Sequence, residues 1–432
     1  MDYQQSRAYV SDADRYAGGA LDLTNIKELM KRLGNPQDQL KYVHVAGTNG
    51  KGSVIAYLYT TLSEAGYRVG RYISPSVYSY REKMEVAGRS VSREQFAGYV
   101  TRVAAAIEEM TSEGLAHPTP FEIETAVAFL FFAEENCDLV ILEVGMGGNL
   151  DATNIIKNTI LAVLVPISMD HQSFLGNTLS EIAEKKAGII KPGCSVVTAG
   201  QQPETMAVIK NVCAQNNADL TEADLREAKA VKEDFAGQIL EYRGETFELS
   251  LAGSYQTENA ALALEALHVL EKKGYPTTAL QRKKGLKDTR WNGRLTIIHR
   301  DPLFIVDGAH NPAAADMLED SVRKYFKGRK LFFIMGVFRD KDYPYIIRKL
   351  CPYAQQIVTV ETPDNPRALP AEELAEAIKP CNPNVQAAGS IEDAVNKVFD
   401  MAGCDDVILS FGSLSFIGQI TAIVKTREEK NS

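Results

Sequence analysis

Short apolar runs, many of them β-branched, alternate along the whole chain with longer stretches of helical periodicity. The runs at 42–46, 139–144, 159–165, 195–198, 304–306, 331–335, 356–360 and 406–411 predict strands. Several are continuously apolar rather than alternating, the pattern of parallel strands covered on both faces. Helices are predicted at 25–32, 93–111, 122–135, 256–273, 313–324 and 371–378, with another at 54–65. This alternation predicts an α/β, doubly wound architecture. The stretch 227–251 breaks the pattern, with short strands and polar turns that suggest an antiparallel edge. At Arg290-Trp291-Asn292-Gly293-Arg294 a basic helical stretch (281–287) gives way to a turn and a fresh strand series. We therefore expect two domains, 1–295 and 296–432, the second of ordinary domain size.

Composition narrows the class. At 432 residues the chain exceeds a typical single core, and 45% hydrophobic with 24% charged residues is ordinary for a globular protein. A net charge of −9 supplies no broad basic face, which argues against nucleic-acid binding. The six cysteines (137, 194, 213, 351, 381, 404) form no C-x-x-C pair, so neither a disulfide framework nor a zinc knuckle is expected. The polar first residues do not read as a signal peptide, and no apolar run approaches the ~18 residues of a membrane span. The expectation is a cytoplasmic protein without membrane partners.

The most informative stretch is Val45-Ala46-Gly47-Thr48-Asn49-Gly50-Lys51-Gly52-Ser53, a glycine-rich turn between a predicted strand and helix. Such a turn exposes backbone N–H groups at a helix N-terminus, where the dipole favours anions. Lys51 can reach phosphate oxygens and the Ser53 hydroxyl can ligate Mg²⁺. Gly52 separates Lys from Ser, so this is a variant P-loop; a plain glycine turn is the alternative. Glu143 ends an apolar strand and precedes Gly145-Met146-Gly147-Gly148. An acidic residue there suits Mg²⁺, although a solvated carboxylate before a turn has the same pattern. His171, just past another strand, reads equally as ligand or as hydrogen-bonded structural residue. Lys186 lies in a basic helix end that the dipole alone explains. In the second half, Asp307 and His310 sit in a polar strand-to-helix turn, where Asn311-Pro312 is also a normal helix start. Asp340-Lys341-Asp342 and Asn365-Pro366-Arg367 read as loop segments after later strands.

Taken in order, these segments resemble the folylpolyglutamate synthase/dihydrofolate synthase family of the Mur-ligase superfamily. The likeness runs from about residue 20 to 420. It is carried by Gly47-Thr48-Asn49-Gly50-Lys51-Gly52-Ser53, Ser74-Pro75, Leu150-Asp151-Ala152-Thr153-Asn154, Asp170-His171, Leu175-Gly176-Asn177-Thr178-Leu179, Lys186-Ala187-Gly188-Ile189-Ile190-Lys191, Asp307-Gly308-Ala309-His310-Asn311-Pro312 and Asn365-Pro366-Arg367-Ala368. The resemblance implies a P-loop-type doubly wound domain followed by a smaller Rossmann-like glutamate ligase domain. It implies ATP-dependent amide synthesis, in which a folate carboxylate becomes an acyl phosphate and L-glutamate attacks it; dihydropteroate is a further acceptor to consider. Gly47 to Ser53, Asn259, Arg294 and Asp307 would contact the nucleotide. Ser53, Ser74, Glu143 and His171 match the Mg²⁺ positions, Lys186 the lysine carried as a carbamate, and Lys51, Lys186, Asp307 and His310 the catalytic set. A monomer is implied. Departures from the usual pattern fall at Ser76, Asn149, Lys185, Tyr255, Asn292 and Ser415. Another Mur-type amino-acid ligase and a non-catalytic nucleotide- or folate-binding paralogue are the competing readings.

Overall fold

The structure, a computed structural model, describes residues 1–16, 22–235, 237–363 and 365–431, without the side chains of Ser173 and Asn431. The chain divides into two compact units. One comprises Met1–Ser76, Tyr80–Glu227 and Glu258–Asp288; the other comprises Val77–Ser79, Ala228–Thr257 and Thr289–Ser432. In place of one cut at residue 295, the contact pattern interleaves the two units. The 227–251 strands group with the second.

In the first unit, β1 (Tyr42–Ala46), β2 (Val69–Tyr72), β3 (Met84–Val86), β4 (Arg89–Ser90), β5 (Leu139–Glu143), β6 (Thr159–Leu164), β7 (Ser195–Thr198) and β8 (Asp219–Glu222) form one sheet. Its order is β4-β3-β2-β5-β1-β6-β7-β8. Only the hairpin-like β2–β3 and β3–β4 pairs are antiparallel. The chain leaves β1 to one side, returns through β5, and crosses to β6 on the other side. Such a switch opens a ligand crevice beyond the carboxyl ends of the central strands.

Helices cover both faces. The Pro120–Glu134 helix is apolar almost all round, and every residue from Glu122 to Phe132 is buried, as expected of a helix packed between layers. Thr119 and Glu122 form its capping box, with Pro120 at the first helical position. One core joins this helix to Ile26, Leu29, Tyr42, Tyr72 and Phe96; another packs Ala162, Leu164 and Val196 against Ile182, Ile189 and Ile209.

The second unit holds an antiparallel meander, β9 (Lys229–Asp234), β10 (Gly237–Tyr242) and β11 (Glu245–Leu249). It also holds a six-stranded sheet of β12 (Thr296–His299), β13 (Leu303–Val306), β14 (Leu331–Met335), β15 (Gln356–Thr359), β16 (Val385–Ala387) and β17 (Val407–Phe411). The order is β12-β13-β17-β14-β15-β16, parallel except for β12–β13. Successive side chains of one strand enter opposite cores: Phe304 and Val306 one, Ile305 the other. That is why β13 and β14 read as unbroken apolar runs. No helix among the described residues is long and apolar enough to cross a membrane.

Candidate active site

The first cluster is built on the carboxyl ends of β1, β5 and β6. Leaving β1, the chain turns at Gly47 (φ 137°) and again at Gly50 (φ 100°), which caps the Lys51–Glu64 helix without a side-chain acceptor. The first N–H groups of that helix therefore face the turn as an anion site. Gly47 is required by space as well as by φ. A Cβ there would lie 2.2 Å from Val165 Cγ2 and 2.6 Å from the Val165 carbonyl. A Cβ on Gly50 would meet Asn259 Oδ1 at 2.5 Å, so Asn259 is seated against the turn. Gly47→Ala is expected to cost about 2 kcal/mol or more of stability and to weaken nucleotide binding. Urea unfolding and calorimetry would check both, and an unchanged midpoint would contradict the packing argument.

Three charged side chains converge on this turn. Lys51 Nζ donates to the carbonyls of Gly47 (3.4 Å) and Thr48 (3.2 Å) and stands 4.0 Å from Glu143 Oε1. Glu143, buried at the end of β5, accepts the Ser74 N–H at 3.2 Å. Lys186 Nζ, from the Leu179–Ala187 helix, also donates to the Gly47 carbonyl, at 2.8 Å. Burial, reinforced by the Lys51 charge and opposed by Asp170 and Asp151, lowers the Lys186 pKa to about 7.

The glycine pair after β5 sets the place of Lys186. A Cβ on Gly148 would lie 2.6 Å from the Lys185 carbonyl, and Asn149 N–H donates to that carbonyl at 2.8 Å. Asn149 and Lys185, both departures from the family pattern, are thus bonded neighbours. Lys185 Nζ in turn donates to the Phe174 carbonyl at 2.6 Å.

Sequence reasoning gave no role to the buried network beneath this loop. Asp151 accepts N–H groups from Met146 and Thr153 and the Thr153 hydroxyl. The Thr153 oxygen pairs with His44 Nε2 at 2.9 Å. Burial holds His44 down at about 3, neutral at physiological pH, and pushes Asp151 up. His44 sits in an apolar strand as an isolated polar residue, which was its only sequence signal.

His171 opens the short Gln172–Leu175 helix at φ 49°, its Nε2 3.9 Å from Asp170 Oδ2. Among the described residues no three His, Cys, Asp or Glu side chains gather into a metal-holding group. Of the expected Mg²⁺ positions, Ser53 is buried within the first turn of its helix, and Ser74 is tied through its backbone to Glu143. Hydroxyl and carboxylate oxygens of this kind suit a hard ion that keeps several waters, so these residues fit Mg²⁺. His171 is the softer member.

The second cluster lies in the second unit, beyond β13. Asp307 is buried and accepts N–H groups from Leu295 (2.9 Å) and Ala309 (2.8 Å). Burial pushes its pKa up, opposed by the Arg294 charge and those two N–H groups. Arg294 folds over the same turn, its Nη1 2.4 Å from where a Gly308 Cβ would be and 2.8 Å from the Gly293 carbonyl. His310 Nδ1 pairs with the Gly308 carbonyl at 2.8 Å, and Asn311 caps the Pro312–Tyr325 helix. The structure thus groups residues 47–53, Ser74, Glu143, Lys186 and Asn259 in one unit, and Arg294, Asp307 and His310 in the other.

Residues 45–267 match the Mur ligase middle domain and 293–414 the Mur ligase glutamate ligase domain. The dihydrofolate synthase/folylpolyglutamate synthase of Bacillus subtilis is 34% identical over 98% of this chain and 99% of its own. The chain belongs to the folylpolyglutamate synthase/dihydrofolate synthase family of Mur ligases. A second member of this family, the folylpolyglutamate synthase of Lacticaseibacillus casei, is 33% identical over 86% of this chain and 88% of its own. The Mycobacterium tuberculosis folylpolyglutamate synthase, solved with ADP and AMPPCP, superposes with a TM-score of 0.87. It is 31% identical over 98% of this chain and 99% of that one. The chain thus carries a Mur ligase middle domain followed by a glutamate ligase domain.

Proposed function

We propose that this chain is an ATP-dependent ligase that adds L-glutamate to folate through an acyl phosphate. The observation that carries the proposal is the glycine-capped helix N-terminus at Gly50–Lys51, which has no side-chain acceptor and has Lys51 and Glu143 beside it, in a chain that matches a folate–glutamate ligase end to end.

In this reading the 47–53 turn and Asn259 cradle the triphosphate, and Lys51 swings from the loop carbonyls onto phosphate oxygens. Ser53, Ser74, Glu143 and His171 would hold Mg²⁺, which when bound neutralises charge on the transferring phosphoryl group. A folate carboxylate oxygen takes the γ-phosphoryl group and ADP leaves. The glutamate amine then attacks the acyl carbon, the C–O bond breaks, and inorganic phosphate departs. His310 fits the proton transfer. A carbonyl can only accept, so Nδ1 carries the hydrogen towards Gly308 and the lone pair of the neutral ring lies on Nε2. Asp307 and Arg294 shape that turn and its nucleotide contact.

Lys186 is assigned as a carbamate. Its amine, neutral above about pH 7, adds to CO₂ with loss of one proton, and the remaining N–H still serves the Gly47 carbonyl. The product is an anion beside Lys51 in place of a second cation. All six cysteines carry free thiols, which suits a reducing cytosol, and we take the enzyme as a monomer.

The test is phosphate release with ATP, Mg²⁺ and L-glutamate, comparing tetrahydrofolate, dihydropteroate and no acceptor, with mass spectrometry of the products. One added glutamyl unit on tetrahydrofolate is the expected result. Product from dihydropteroate as well would make the enzyme bifunctional. ATP binding with no product from either acceptor would overturn the assignment.

A further inference from the structure

The phosphate-binding turn leans on the segment that follows β6. Thr48 N–H donates to the Pro166 carbonyl at 2.9 Å. The Thr48 hydroxyl accepts the Ser168 N–H (3.0 Å) and donates to the Ser168 carbonyl (3.1 Å). Gly47 lies so close to Val165 that no side chain fits between them. The position of residues 165–168 therefore fixes the Gly47–Thr48 turn. It also fixes the start of the Asp170-His171 segment.

That segment is held from its far side by one side chain, Gln201, in the loop after β7. Its Oε1 accepts the Ile167 N–H at 3.0 Å. Its Nε2 donates to the Val165 carbonyl and to Thr198 Oγ1, each at 3.2 Å. The amide orientation is determined. The single hydroxyl proton of Thr198 is directed at the carbonyls of Leu164 and Ala199, both 3.1 Å away, so its oxygen must accept from Gln201. Thr198 is fully buried, which makes this arrangement costly to rearrange. The amide therefore pins a carbonyl and an N–H two residues apart on either side of Pro166, the residue whose carbonyl receives Thr48.

We propose that Gln201 is a positioning residue for the nucleotide, acting through residues 165–168 on the Gly47–Thr48 turn. The proposal rests on the reading that this turn binds ATP. Gln201 touches no reacting atom; its effect is on the shape of the phosphate site and not on the folate or glutamate sites.

Two substitutions separate this role from simple support. Gln201→Met keeps the length and removes donor and acceptor. Gln201→Glu keeps the acceptor but, when ionised, turns an oxygen towards the Val165 carbonyl. On protonation its carboxyl group regains a single donor, which can return to the Val165 carbonyl while the other oxygen accepts the Ile167 N–H. ATP affinity by calorimetry is expected to fall about tenfold in Gln201→Met, with KM for folate and for glutamate within about twofold of wild type. Gln201→Glu is expected to be as weak at neutral pH and to recover in part, relative to wild type, as the pH is lowered towards the carboxyl range. Gln201→Met should show no such recovery. Unchanged ATP affinity in Gln201→Met would overturn the proposal. So would an equal loss for all three substrates together with a lower Tm, or the absence of recovery in Gln201→Glu. A wild-type protein that binds ATP but forms no glutamyl product would overturn the ligase reading and leave the affinity comparison intact. One that binds no ATP would overturn both.

Discussion

Lys51→Ala is expected to lower folate- and glutamate-dependent phosphate release about a thousandfold while the protein stays folded. In the structure the ammonium rests on the Gly47 and Thr48 carbonyls at 3.4 and 3.2 Å, with Glu143 at 4.0 Å. None of these is a short, charge-assisted contact, so little holds the side chain there when a more anionic partner arrives. Lys51 is also the first residue of its helix, where alanine is readily accommodated, and the change in stability should stay within about 1 kcal/mol. Lys51→Arg should rescue little, because a planar fork does not replace a compact point charge over a tight backbone turn. Steady-state kinetics with ATP as the varied substrate would show the loss mainly in kcat, the mark of an interaction made in the transition state. Turnover within about twofold of wild type would remove Lys51 from the mechanism.

The elements that sequence pattern made legible are those buried on both faces. β14 is an unbroken apolar run, and β1, β5 and β17 are apolar but for His44, Glu143 and Ser410; their cores fall on both sides of the sheets as that pattern requires. β2 was not legible, because Gly70 and Arg71 interrupt it. The structure supplies the reasons. A Cβ on Gly70 would lie 2.8 Å from the Phe132 ring, and Arg71 pairs with Glu85 on the neighbouring β3. Both are tertiary demands with no local signal. β8, sequence Asp219 to Glu222, is a half-exposed edge strand that reads as polar. The helix after the glycine turn begins at Lys51 rather than Val54, since Gly50 supplies the cap and Lys-Gly-Ser forms the first turn.

The candidate site divides in the same way. The 47–53 turn and Glu143 announce themselves by glycine spacing and by a carboxylate at a strand end. Lys186 lies in a helix terminus that looks like an ordinary basic cap. What sets it apart is the Gly147-Gly148 turn packed against its backbone and the Lys51 ammonium on the same carbonyl. Gln201 carries no signal at all, since two of its partners, Val165 and Ile167, lie in another loop and the third, Thr198, ends β7.

The same burial of Lys186 yields the second large effect, one of opposite sign in stability and activity. Its pKa is about 7 in the folded protein against an ordinary 10.5. Between these values the unfolded chain binds a proton that the folded protein does not, so stability rises with pH across the window. The burden is fully present below about pH 7. Lys186→Met relieves it, and the CO₂-free protein is expected to be more stable than wild type at pH 6 by about 2 kcal/mol. The gain should shrink towards pH 10.5, the ordinary lysine value. Activity should move the other way. Without a nitrogen to carry the carbamate, turnover is expected to fall by about a hundredfold or more. In wild type a ¹³C carbamate signal from labelled CO₂ should grow as the pH rises through about 7 and be absent in Lys186→Met. A wild-type protein with no such signal across that range would remove the carbamate from the mechanism. A Lys186→Met protein less stable than wild type at pH 6 would mean that the 2.8 Å bond to Gly47 outweighs the buried charge.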